Sequence, residues 1–185
     1  MFRIVPGLLS LEQHLAALFR DPERYRPPAC ATCGLARPWA HGCYTRKSDR
    51  PPHGDGRRNP IPILRYRCRN PACRVTCSRL PACIPPRRWY LWVVQQAVLL
   101  AVLSGTSLSA AARHFAPLRG PARSTLGRWQ SWLKDADPGW AFHLKARFPE
   151  LARCGDGTAF WTGTLEQLGL IQAMTTLDGL GECVP

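Results

Sequence analysis

The chain has 185 residues, room for one ordinary domain or two small ones, and its 25 Lys and Arg against 12 Asp and Glu give a formal charge of +13. Of the 25 cations, 22 precede residue 135, while the remainder of the chain is net acidic. A basic field held on two-thirds of a chain is the footprint of a polyanion binder. The longest apolar run, "WYLWVVQQAVLLAVL" (89–103), carries two glutamines and is shorter than the ~20 residues that cross a bilayer, so no membrane role is expected.

Taken in chain order, residues 1–26 read as an amphipathic helix with a lead-in. "SLEQHLAALF" (10–19) has a Ser10–Gln13 capping-box pattern and places Leu11, Leu15, Leu18 and Phe19 on its core side. Pro6, Glu12, Gln13 and His14 interrupt the apolar stretch that a signal peptide needs. A cytoplasmic, nucleoid-associated protein is therefore expected. In that reducing compartment, nine cysteines, an odd number, are not expected to be disulfides.

Residues 27–84 carry most of those cysteines. Cys30 and Cys33 form C-x2-C, and Cys68 and Cys73 form C-x4-C. Each short turn offers two sulfurs from one loop, and two such turns complete a tetrahedral Zn²⁺ site. Gly34 follows the first pair where a positive φ is useful, and Asn70-Pro71 supplies turn chemistry inside the second. Between the pairs, "IPILRYRC" (61–68) alternates, with Leu64, Tyr66 and Cys68 on one face and Ile63, Arg65 and Arg67 on the other. It reads as a half-exposed strand projecting arginines outward. The stretch 48–60, rich in Pro, Gly and charge, reads as a basic loop. The sum is a zinc ribbon in which Cys77, His41 or His53 remains an alternative ligand. Cys43, Cys77, Cys83, Cys154 and Cys183 are expected as buried apolar side chains. With few large apolar residues of its own, this part should depend on the metal, whose binding contributes on the order of 10–16 kcal/mol.

Residues 85–134 change period. An all-round apolar helix from Trp89 to Leu103 ends at Gly105. A short helix follows over 106–115, capped by Thr106 or Ser107, and a third spans 123–134 with Leu126, Trp129 and Leu133 as its apolar stripe. The pattern predicts a homeodomain-like helix-turn-helix with the third helix as reader. Arg123, Ser124, Thr125, Arg128 and Ser131 are its candidate contacts, joined by Arg65 and Arg67 of the ribbon. No acidic residue lies within 89–134 to repel phosphate. Residues 135–185 read as an acidic, partly helical tail with one helix in "GTLEQLGLIQAM".

The run "CATCG…HGCYTR…ILRYRCRNPACRVTCSRLP", then "IPPRRWY" and a helix-turn-helix pattern, resembles the N-terminal region of bacterial insertion-sequence transposases and related stand-alone transposase-like proteins. The likeness covers about residues 25–134. Ala31 stands where the family has proline, and Cys43 and Cys77 stand where it commonly has aromatic residues. The resemblance implies zinc on Cys30, Cys33, Cys68 and Cys73, and double-stranded DNA as partner, with a transposase catalytic subunit as a further one. The catalytic carboxylates of such enzymes sit on an RNase H-like sheet, and the residues after 134 are too few to build one. The expectation is an α+β chain that binds DNA and is not itself an enzyme.

Overall fold

The protein, described here by a computed structural model covering residues 3–47, 60–86, 90–116, 120–136 and 138–184, is α+β. The sequence-predicted loop at 48–60 and His53 lie almost wholly outside those residues. The first half holds β1 (Ile4–Val5), α1 (Leu11–Arg20), a 3-10 turn (Pro22–Tyr25), β2 (Trp39–Arg46), β3 (Ile61–Arg67), β4 (Thr76–Cys77) and β5 (Leu80–Pro81). The second holds α2 (Trp92–Leu103), α3 (Leu108–Phe115), α4 (Arg123–Lys134), α5 (Pro138–Arg147), a 3-10 turn (Pro149–Cys154), α6 (Gly157–Gln167) and α7 (Leu170–Gly179).

Strands β2, β3 and β4 form one antiparallel sheet in that order, and β1 pairs in parallel with β5. Strand β3 is covered on both faces over much of its length rather than half-exposed. Ile61 and Ile63 are buried with Leu80, Cys83 and Ile84, whereas Tyr66 is buried with Val5, Leu8 and Tyr25. Arg65 and Arg67 are consequently half-buried.

Helix α1 begins as its cap predicts, with Ser10 Oγ accepting from Gln13 N at 3.2 Å. Its inner face differs from expectation. Phe19 is 91% exposed, and the fully buried residue is His14. The His14 ring is held at both nitrogens, Nδ1 lying 2.6 Å from the Tyr25 hydroxyl and Nε2 3.0 Å from the Pro62 carbonyl. With Nε2–H donating to Pro62, Nδ1 accepts from Tyr25. A polar side chain therefore joins Leu11 and Leu18 on the inner face, where both leucines pack against the sheet-side clusters, because these partners satisfy it inside.

Helix α2 contacts α3, α4, α6 and α7, which explains its lack of a polar face. Its two glutamines serve the core rather than a surface. Gln95 Nε2 donates to the Tyr90 carbonyl at 2.9 Å. Gln96 donates to Leu165 O at 3.0 Å and accepts from Leu170 N at 2.8 Å, spanning the break between α6 and α7. Gly169, at φ 79°, makes that break, so the single helix predicted over 163–174 is two. The segment expected as a partly helical tail forms α5, α6 and α7. Their Trp140, Leu144, Phe160, Leu165, Met174 and Leu177 share one core with Trp92, Leu99, Leu126 and Trp129.

The halves are tied through β1 and the Pro85–Pro86 linker. The Asp178 carboxylate on α7 accepts from the N–H groups of Arg3 and Ile4 at 2.9 Å, and Arg79 Nη2 donates to Ile4 O at 2.8 Å. Arg46 Nη2 and Nη1 donate to the carbonyls of Pro85 and Pro86 at 2.7 and 3.0 Å.

Candidate metal centre

Register brings the two cysteine turns together. Trp39 at the start of β2 pairs with Arg67 at the end of β3, so the turn preceding one strand abuts the turn following the other. The turns are built alike. Cys30 N donates to Leu35 O and Cys68 N to Val75 O, both at 2.9 Å. The residue before each acceptor is left-handed, Gly34 at φ 73° and Arg74 at φ 50°. Glycine suits that conformation; arginine carries a steric penalty there. In the second turn Asn70 accepts Ala72 N on its Oδ1 at 2.9 Å, and Asn70 N donates to Cys68 Sγ at 3.4 Å.

The sulfurs of Cys30, Cys33, Cys68 and Cys73 all lie within 4.8 Å of one another, Cys33–Cys68 at 3.4 Å and Cys30–Cys73 at 3.9 Å. None is in a disulfide. Four thiolates about 2.3 Å from one central ion sit about 3.8 Å apart along the edges of a tetrahedron, so the spacing fits a single metal ion. The electrostatics agree. N–H groups of Cys33 and Thr32 hold the Cys30 thiol down to about 6, whereas burial pushes Cys68 up to about 12. The Cys30 sulfur is ready to ionise while that of Cys68 resists; a cation beside them removes that conflict.

The alternative ligands fall elsewhere. Cys77 is half-buried at the pairing partner of Tyr66, with its thiol pushed up by burial, and is outside the group of four. His41 and Cys43 are exposed on β2. Of the cysteines expected to be buried, Cys83 is, Cys77 and Cys154 are half-buried, and Cys43 and Cys183 are exposed.

The candidate contact residues fall in two places. Arg65 and Arg67 lie on one face of the sheet, Arg65 Nη2 being 3.4 Å from Thr76 Oγ1. On α4, Leu126, Trp129 and Leu133 are buried, while Arg123, Ser124, Arg128 and Ser131 are exposed. Thr125 is half-buried and accepts from Arg128 Nη2 at 3.2 Å. Gly127 faces inward, where an added Cβ would lie 3.7 Å from Leu108 of α3.

Compared with protein-family models, curated proteins and solved structures, the chain matches none. No described helix is long and apolar enough to cross a membrane.

The ribbon read from the sequence has a strand between the first cysteine turn and the basic loop, but no residues were assigned to it; that strand is β2. "WAHGCYTR" does not alternate, because its register shifts between Ala40 and Cys43, with Gly42 at φ 77°. Two exposed aromatics, Trp39 and Tyr44, lie on either side of that bulge. Arg69 stacks over the Trp39 ring at 5.5 Å. The run of aromatic and basic residues from 37 to 47 was the only signal in the sequence that pointed to it.

Proposed function

We propose that this chain is a zinc-dependent, transposase-like DNA-binding protein that acts at the nucleoid. It would serve as a transposase accessory, a truncated transposase or a regulator derived from one. The observation that carries the reading is the tetrad of cysteine sulfurs, closed beside a sheet whose surroundings are cationic. Residues 24–86 carry 13 Lys and Arg against two carboxylates, Asp49 and Asp55.

In this reading Zn²⁺ is structural: it locks the two turns and leaves Arg65 and Arg67 on a rigid sheet. Residues 27–84 are then a zinc ribbon, and α2, α3 and α4 a helix-turn-helix unit. Helix α4 enters the major groove with its exposed Arg123, Ser124, Arg128 and Ser131, and buries Leu126, Trp129 and Leu133 against α2 and α3. Arg128 suits bidentate bonding to guanine, and the hydroxyls suit phosphates or base edges. No catalytic step is assigned, since α5, α6 and α7 are committed to the core that supports α4.

Elemental analysis of the purified chain should find one zinc ion, lost in Cys68→Ser. Binding to duplex DNA should fall steeply with salt, at a slope of about −0.9 per neutralised phosphate. A metal-free folded chain, or binding flat in salt, would overturn the reading.

A further inference from the structure

The sheet face beside the metal centre carries a second kind of chemistry. In an antiparallel sheet, directly paired residues share a face. Trp39 pairs with Arg67 and Arg67 with Thr76, so all three lie on one side. Beyond the bulge Tyr44 pairs with Ile63, and Arg65 falls between Ile63 and Arg67 on the same side of β3. Ile63, opposite Tyr44, is covered by Leu80, Cys83 and Ile84, so the open part of this face is the end that bears Trp39, Arg67 and Thr76, with Arg65 next along β3. Trp39 is 57% exposed and Tyr44 38%. An indole this open is hard to explain by packing, for it lies in none of the hydrophobic clusters.

We propose that this face is a platform for a single strand of DNA, with an unpaired base stacked on Trp39 and the strand's phosphates held by Arg65, Arg67 and Arg69. Arg69 already caps part of the indole, and a base would extend that stack. An open aromatic ring on a cationic sheet accepts a base of any sequence, because every base has a π face. A blunt duplex offers no such face, since its bases are stacked on each other. The inference rests on the DNA-binding reading and sharpens it. The preferred target becomes DNA with an unpaired strand beside a duplex, the strand on the sheet and the duplex on α4.

The test uses the full zinc-loaded chain and fluorescence anisotropy at one salt concentration. Its three probes are a single strand of about 15 nucleotides, an abasic strand of equal length, and a blunt duplex of the same sequence. The base-bearing strand should bind more tightly than the abasic one. Trp39→Ala should weaken it by about fivefold to a hundredfold, Trp39→Phe should retain most of the affinity, and duplex binding should stay within about twofold. Equal binding of the abasic and base-bearing strands, or an unchanged Trp39→Ala variant, would overturn the platform while leaving the duplex reading intact. An equal loss on all three probes, or a loss of zinc, would mean that Trp39 supports the fold, and would overturn it as well. No binding to any probe at low salt would bring down both readings.

Discussion

The two halves of this molecule are held together by different means. Helices α2, α3, α4, α5, α6 and α7 close around large side chains that are buried together, among them Trp92, Leu126, Trp129, Leu144, Phe160 and Leu165. The sheet half has two small clusters, Ile61, Ile63, Leu80, Cys83 and Ile84 in one and Val5, Leu8, Tyr25 and Tyr66 in the other. It also leaves Leu35, Trp39, Tyr44 and Val75 exposed. Burial stabilises by roughly 25 cal/mol per Å² of apolar surface, so the helical half has enough of its own and the sheet half has little. The contrast teaches where function can sit. A surface that need not fill a core can spend its aromatic and basic residues outward, provided something else fixes its shape.

Removing the metal should break this contrast most visibly. Treatment with a chelator, or Cys68→Ser, should abolish hydrogen-exchange protection of the β2 and β3 amides while those of α2, α6 and α7 stay protected, because metal binding contributes on the order of 10–16 kcal/mol to such units. Uniform loss in both halves would show that they fold as one. Truncation in the other core is the counterpart: Leu165→Ala, at a site with no exposure, should cost about 2–5 kcal/mol in denaturant titrations and leave zinc content unchanged.

The third prediction concerns pH and His14. Burial holds the His14 ring below its ordinary value of 6.5, with the Pro62 hydrogen bond opposing it. The unfolded chain thus takes up a proton first as pH falls. The contribution of a neutral His14 is complete above the unfolded value and is lost on acidification below about 6.5. The denaturation midpoint should drop between pH 7 and 5, and His14→Gln should flatten that part of the profile. The smallest effect belongs to Arg74, whose φ of 50° disfavours a side chain. Arg74→Gly should raise thermal stability of the zinc-loaded protein by about 0.5–1 kcal/mol, the residue of a steric gain and an entropic loss.

Much of the local design was legible beforehand. Helix α4 spans the predicted 123–134, Ser10 and Ser107 cap their helices, and Gly34 and Gly105 take positive φ. These features depend on a few adjacent residues, and short-range sterics and hydrogen bonds decide them. The grouping of Cys30, Cys33, Cys68 and Cys73 was legible too, because a metal ion's demand for four donors makes the pairing of two close pairs predictable. Phe19 illustrates the limit. Periodicity put it on the inner face, yet the chain after α1 turns through Pro22–Tyr25 and places His14 and Tyr25 inside instead.

By itself, then, the sequence determined the cysteine turns, the apolar stripe of α4 and the charge imbalance, all consequences of residue type and spacing along a short length of chain. Only the tertiary structure decided that Asp178 of α7 holds β1 in place, that α5, α6 and α7 share the core of α2, and that Trp39 stands open beside Arg67. Those facts rest on contacts between residues far apart in the chain, and their selection depends on how whole elements fit and satisfy each other's polar groups, which no local pattern encodes.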